Sequence, residues 1–189
     1  MSEGGKQMTT ASLTIVIIAV IVVAAAIWYL LWQHRSKQLR SRFGEEYDHA
    51  IRQFGSRNKA EEALVARQKR MEKFHIRSLS AGERGRFAEE WHDVQARFVD
   101  DPAGSIDEAD RVVCDVMKAR GYPMSDFEHR AEDLSVDHPH VVRNFRLAHR
   151  IALRHQEGQA STEELRRALV CYRDLFDELL EVQPSVPGR

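Results

Sequence analysis

A chain of 189 residues, 43% hydrophobic and 30% charged, has the composition of a folded protein, and not of a disordered or fibrous one. Its two cysteines, Cys114 and Cys171, follow no metal or redox spacing, which excludes a disulfide scaffold and reads as free thiols in a reducing compartment. The formal net charge of −1 hides an asymmetry: residues 33–77 carry twelve Lys and Arg against six Asp and Glu, and residues 78–189 carry fifteen against twenty-two. The acidic distal part would repel phosphate backbones, so no nucleic-acid partner is expected.

Residues 1–10 form a short N-terminal tail. From 11 to 32 there is no charged side chain, and Ile, Val, Ala and Leu dominate. About twenty such residues cover the roughly 30 Å hydrocarbon layer of a bilayer, so a transmembrane helix is expected here. Trp28, Tyr29 and Trp32 cluster at one end, where amphipathic rings favour the headgroup region, and Arg35, Lys37, Arg40 and Arg42 follow. These seven residues are the expected membrane-interface set. The positive flank places the N-terminus outside and the rest in the cytoplasm, facing anionic headgroups that each basic residue favours by roughly 1 kcal/mol. A cleaved signal peptide is the competing reading, but cleavage near Ala24–Ala26 would leave Ile27-Trp28-Tyr29-Leu30-Leu31-Trp32 in water.

Residues 33–77 form a charged connector. Leu39, Phe43, Tyr47, Ile51 and Phe54 recur at helical spacing, and Gly55-Ser56-Arg57-Asn58 interrupts the run before a weaker stretch with Leu64, Met71 and Phe74. The stripe is expected either to dock a solvated stalk on the distal domain or to offer a coiled-coil or partner-binding face, with Phe43 and Tyr47 as possible contacts.

Residues 78–182 read as a domain of about four main helices and one short one. Four serines precede a glutamate by three residues, at Ser80, Ser105, Ser125 and Ser161, and each pair fits a capping box. Apolar stripes follow: Phe87, Trp91, Val94 and Phe98; Ile106, Ala109, Val113, Val116 and Met117; Phe127, Ala131 and Leu134; Val141, Phe145, Ala148, Ile151 and Ala152; Leu165, Ala168, Leu169, Tyr172, Phe176 and Leu179. Pro102, Gly121, Pro123, Pro139 and Gly158 punctuate them, with Asp137 as a cap before Pro139. No strand-like alternation occurs. The fold class is therefore all-α: an N-terminal transmembrane helix, then a soluble antiparallel bundle. Residues 183–189 are expected to form a disordered tail.

Chemistry-bearing patterns are sparse. His129, His138, His140, His149 and His155, with Asp133 and Asp137, could ligate a metal or move protons, but no ligand spacing repeats on two helices. Gly82 and Gly85 lack the spacing of a phosphate loop, and both cysteines lie at the flanks of apolar stripes, where a small buried or half-buried thiol is the common case. No catalytic residue, metal site, cofactor or small-molecule substrate is evident. Trp91 and Tyr122 are core residues or, if exposed at a bundle end, further partner contacts.

The stretches FHIRSLS, RFVDDPAGSIDEADRVV, KARGYPMSDFEHRAEDLSVDHP and CYRDLFDELLE, together spanning most of residues 74–180, resemble a family of uncharacterised bacterial single-pass membrane proteins with a C-terminal helical domain. The resemblance implies a bacterial inner-membrane setting and carries over no activity, cofactor or functional residue. The expectation is a membrane-anchored, non-enzymatic interaction module, an accessory or scaffold subunit of a larger membrane complex, respiratory or photosynthetic for instance. Its partners would be other proteins of that complex. The alternatives are a membrane-tethered stress sensor or chaperone-like binder, and a metal-dependent enzyme using the histidines between His129 and His155.

Overall fold

The structure is a computed structural model that describes residues 4–181, with side chains from residue 15 onward except those of residues 31 and 32. The expected tail at 183–189 lies outside the described residues. Eight helices and no strand occur among them: α1 (Gly4–Phe43), α2 (Glu45–Phe54), α3 (Arg57–Met71), α4 (Ala81–Arg97), α5 (Pro102–Arg120), α6 (Phe127–Asp137), α7 (Pro139–Gln156) and α8 (Thr162–Leu179). The chain divides into two compact units, Met1–Ser41 and Arg42–Arg189.

The first unit is a single helix, and α1 already includes residues 4–10. From Ile15 to Leu30 the large apolar residues are 50–76% exposed, and an 18-residue window reaches a mean hydropathy of 2.8. By length and composition this helix suffices to cross a hydrocarbon layer.

The second unit begins at Arg42, so the expected connector is largely part of the domain. Gly44, at φ 51°, separates α1 from α2, and Gly55, at φ 69°, ends α2 by donating its N–H to the Ile51 carbonyl. Ser56 then caps α3, accepting from the Lys59 N–H at 3.4 Å. The stripe of α2 buries Tyr47 and Ala50, that of α3 buries Ala60, Leu64 and Met71, and the two helices pack on each other and against α6 and α7. The stripe of these helices thus docks on the distal helices, as the first reading has it.

The remaining helices pack as the stripes require. Helix α8 lies against α5 and α7, α4 lies on α5, and α6 lies on α7. Tyr172 of α8 is fully buried, and its hydroxyl donates to Asp110 of α5 at 3.0 Å, so its one polar atom is satisfied. Trp91 of α4 stacks on Phe176 with centroids 4.6 Å apart. Phe127 packs on Phe145 at 4.7 Å, joining α6 to α7.

Two of the four expected capping boxes form. Ser80 and Ser161 accept from the N–H of Glu83 and Glu164, whose carboxylates accept in turn from the serine N–H groups. The other two are corrected. Asp101 caps α5, with Pro102 in the first turn, which leaves Ser105 inside the helix, buried and without a hydrogen bond from its hydroxyl among the described residues. Asp126 caps α6 in place of Ser125, accepting from the His129 N–H at 3.2 Å. Asp137 is no cap either: it accepts from the Tyr122 hydroxyl at 3.3 Å, and the position before Pro139 is His138.

Gly121 ends α5 at φ 96°, and a Cβ there would sit 2.5 Å from the His75 carbonyl oxygen. Conformation and close approach both demand glycine. This contact, with the Arg77 N–H donating to the Arg120 carbonyl at 2.9 Å, ties the segment between α3 and α4 to the end of α5.

Candidate functional site

Glu46 adjoins Tyr47 on the buried face of α2, and Arg67 falls in register with Ala60, Leu64 and Met71 on α3. Helical geometry therefore carries both charges inward with the apolar stripe. Glu46 is 4% exposed, Arg67 2% and Arg146 of α7 7%. Arg67 donates from Nη1 to Glu46 Oε1 at 2.8 Å, and Arg146 donates from Nη1 and Nη2 to the two Glu46 oxygens at 2.6 and 3.1 Å. Arg67 also reaches Glu132 at 2.9 Å, and Arg70 donates from Nε to Asp133 at 2.7 Å. Burial pushes the Asp133 carboxyl up, opposed by Arg70. The chain of pairs bridges α2, α3, α6 and α7, and each buried charge meets an opposite one.

Beside this network a cleft of about 200 Å³ opens between α2 and α7. Helix α2 lines it with Glu45, His49 and Arg52, and α7 with Arg143, Arg146 and Arg150. Within a distal sequence that is acidic overall, α7 carries four arginines and no acidic residue. Its apolar residues Val142, Phe145 and Ala148 face the core, which turns Arg143, Arg146 and Arg150 along the cleft side. Arg143 pairs with Glu45 at 3.0 Å, an exposed contact. Arg52 and Arg150 are exposed and have no ion-pair partner among the described residues. Two polar atoms of the lining are sealed from solvent without a hydrogen bond among the described residues, His49 Nδ1 and Arg146 Nε. The nearest carboxylate oxygens stand at 3.8 Å (Glu46) and 3.7 Å (Glu128). Burial, then Arg146, pulls His49 below its ordinary 6.5.

The residues expected from sequence fall elsewhere. Trp28 and Tyr29 project from α1 with 76% and 57% exposure, and the Trp32 side chain lies outside the described residues. Arg35, Lys37, Arg40 and Arg42 are exposed on the same helix. The four residues named as possible partner contacts are interior: Phe43 is 0% exposed, Tyr47 and Tyr122 3%, and Trp91 5%. Tyr47 donates to Glu61 at 2.7 Å. As packed they offer little surface to a partner: Phe43, Tyr47 and Trp91 are buried with their helical stripes, and Tyr122 is buried just beyond the end of α5.

The histidines do not gather at one point, although two of them share Glu178. His129 meets Asp126 at 2.6 Å, His138 and His140 meet Glu178 at 2.7 and 3.2 Å, and His149 stacks on Phe127 with centroids 3.6 Å apart. Among the described residues no group of three His, Cys, Asp or Glu side chains is placed to hold a metal. Burial, then Asp110, pushes the Cys114 thiol up to about 11, and burial raises Cys171 as well. Neither is a thiolate near neutrality.

Sequence reasoning missed Glu46, Arg67, Arg146 and the cleft. One signal was available: an arginine in the register of an apolar stripe, as Arg67 is between Leu64 and Met71, needs a buried acid opposite it. Comparisons with family models, curated proteins and solved structures find no match to the chain.

Proposed function

We propose that the protein is a membrane-anchored, non-enzymatic interaction module of the bacterial inner membrane, an accessory or scaffold subunit of a larger complex. The N-terminus lies outside and the helical domain in the cytoplasm. The observation that carries this reading is the run from Ile15 to Leu30, whose apolar side chains are at least half exposed. Uncovered apolar area on that scale requires lipid or another apolar partner, since each square ångström left in water costs about 25 cal/mol. The exposed rings of Trp28 and Tyr29 and the basic residues Arg35, Lys37, Arg40 and Arg42 support the orientation. A respiratory or photosynthetic assembly is the kind of complex in which one spanning helix and one docked domain meet two surfaces of the same partner.

The test is copurification of the tagged chain from native membranes in mild detergent, with the mass of the purified chain read alongside. Stoichiometric membrane proteins around an intact N-terminus are the expected result. Recovery of a lone chain would remove the accessory-subunit reading, and a mass shortened at the Ala24–Ala26 region would remove the anchor.

A further inference from the structure

We infer that the cleft between α2 and α7 is a binding site for a phosphate monoester, gripped by Arg52 and Arg150 over the buried Arg146. The charge balance of the lining comes first. Four guanidiniums, from Arg52, Arg143, Arg146 and Arg150, face two carboxylates, Glu45 and Glu46. Glu46 is already committed to Arg67 and Arg146, and Glu45 to Arg143. Arg52 and Arg150 are left without a carboxylate among the described residues, on opposite walls of one cavity. An excess of two positive charges matches a dianion.

The donors point the same way. A guanidinium presents its N–H groups as a planar fork that fits phosphate oxygens two at a time. The cleft, about 200 Å³ and open to solvent, has room for a phosphate group. The exposed Glu45–Arg143 pair is weak enough for a ligand to open, which would free a third fork.

No phosphate-loop motif announces the site, because its arginines come from two helices about a hundred positions apart. It stands independently of the anchoring reading. The same chemistry could arrive as a free phosphate compound or as the headgroup of a phosphatidic acid, and the experiment separates them.

The full-length protein in an uncharged detergent is titrated calorimetrically at low salt with inorganic phosphate and, separately, with dihexanoyl phosphatidic acid. The comparison variants are Arg52→Gln/Arg150→Gln, Arg52→Glu alone, and Arg173→Gln, an exposed arginine of α8 outside the cleft. Saturable binding of one equivalent is expected, about tenfold or more weaker in both cleft variants and unchanged in Arg173→Gln. Binding of phosphate itself would identify a soluble ligand. Binding of the phosphatidic acid alone, with the same dependence on Arg52 and Arg150, would identify the headgroup. Titrations in which neither probe saturates, or in which the cleft variants match the unaltered protein, would overturn the proposal. The affected arginines are exposed and unpaired, so matching thermal unfolding of the variants keeps the reading clear of folding defects.

Discussion

Glu46 is a single carboxylate on which two buried guanidiniums converge. Glu46→Gln keeps the shape and removes the charge, leaving Arg67 and Arg146 uncompensated. The expected cost is about 3–5 kcal/mol, read as a shifted denaturation midpoint at constant slope. A cost below about 1 kcal/mol would mean that water already screens the network. His149 provides a residue-level pH effect. Burial against Phe127 holds it below 6.5, with Asp110 and Glu128 opposing and Arg130 assisting. The unfolded chain therefore binds this proton more readily, so the histidine is neutral in both states well above pH 6.5, and stability declines as pH falls below that value. His149→Phe keeps a ring on Phe127 and cannot titrate. Its denaturation midpoint should fall less between pH 7 and pH 5 than that of the unaltered protein, and equal slopes would assign the dependence to other groups.

At the scale of elements, the apolar stripes were legible because burial on one face imposes the 3.6-residue period. Trp91, Val94, Phe145 and Leu165 land where their spacing puts them. The caps were half legible. Ser80 and Ser161 have no rival, but Asp101 and Asp126 sit beside the alternative serines and win through carboxylates that accept more strongly from backbone N–H groups. A direct comparison follows. Asp101→Ala should cost about 1 kcal/mol as the cap of α5 is lost, whereas Ser105→Ala should be neutral or stabilising, since it deletes a buried hydroxyl that has no hydrogen bond. If Ser105→Ala instead costs as much as Asp101→Ala in thermal unfolding, the helix begins later than Pro102.

At the scale of the molecule, the sequence understated the domain. The charges of residues 42–71 read as solvated, yet Arg67 is nearly fully buried and Arg70 is paired to α6. The reason is physical: a pair such as Glu46–Arg146 spans 100 positions and leaves no local periodicity. The practical consequence concerns where the domain can be cut. A chain starting at Arg42 should melt cooperatively, whereas one starting at Ser78 loses α2 and α3. It leaves Glu132, Asp133 and Arg146 without their partners, at a cost of at least about 3 kcal/mol. Coincident melting curves by circular dichroism would return α2 and α3 to the status of a stalk.

The same long separation sets an order of events during synthesis. Glu46 leaves the ribosome 100 residues ahead of Arg146. At about 5–20 residues per second the two cannot meet for roughly 5–20 s. For that interval Arg67 of the same hairpin is the buried partner of Glu46, and the second guanidinium is still to come. The arrival of α7 then completes the pairing of Glu46 and covers α2, and a chain stalled before Arg146 would leave that face of α2 open to proteases.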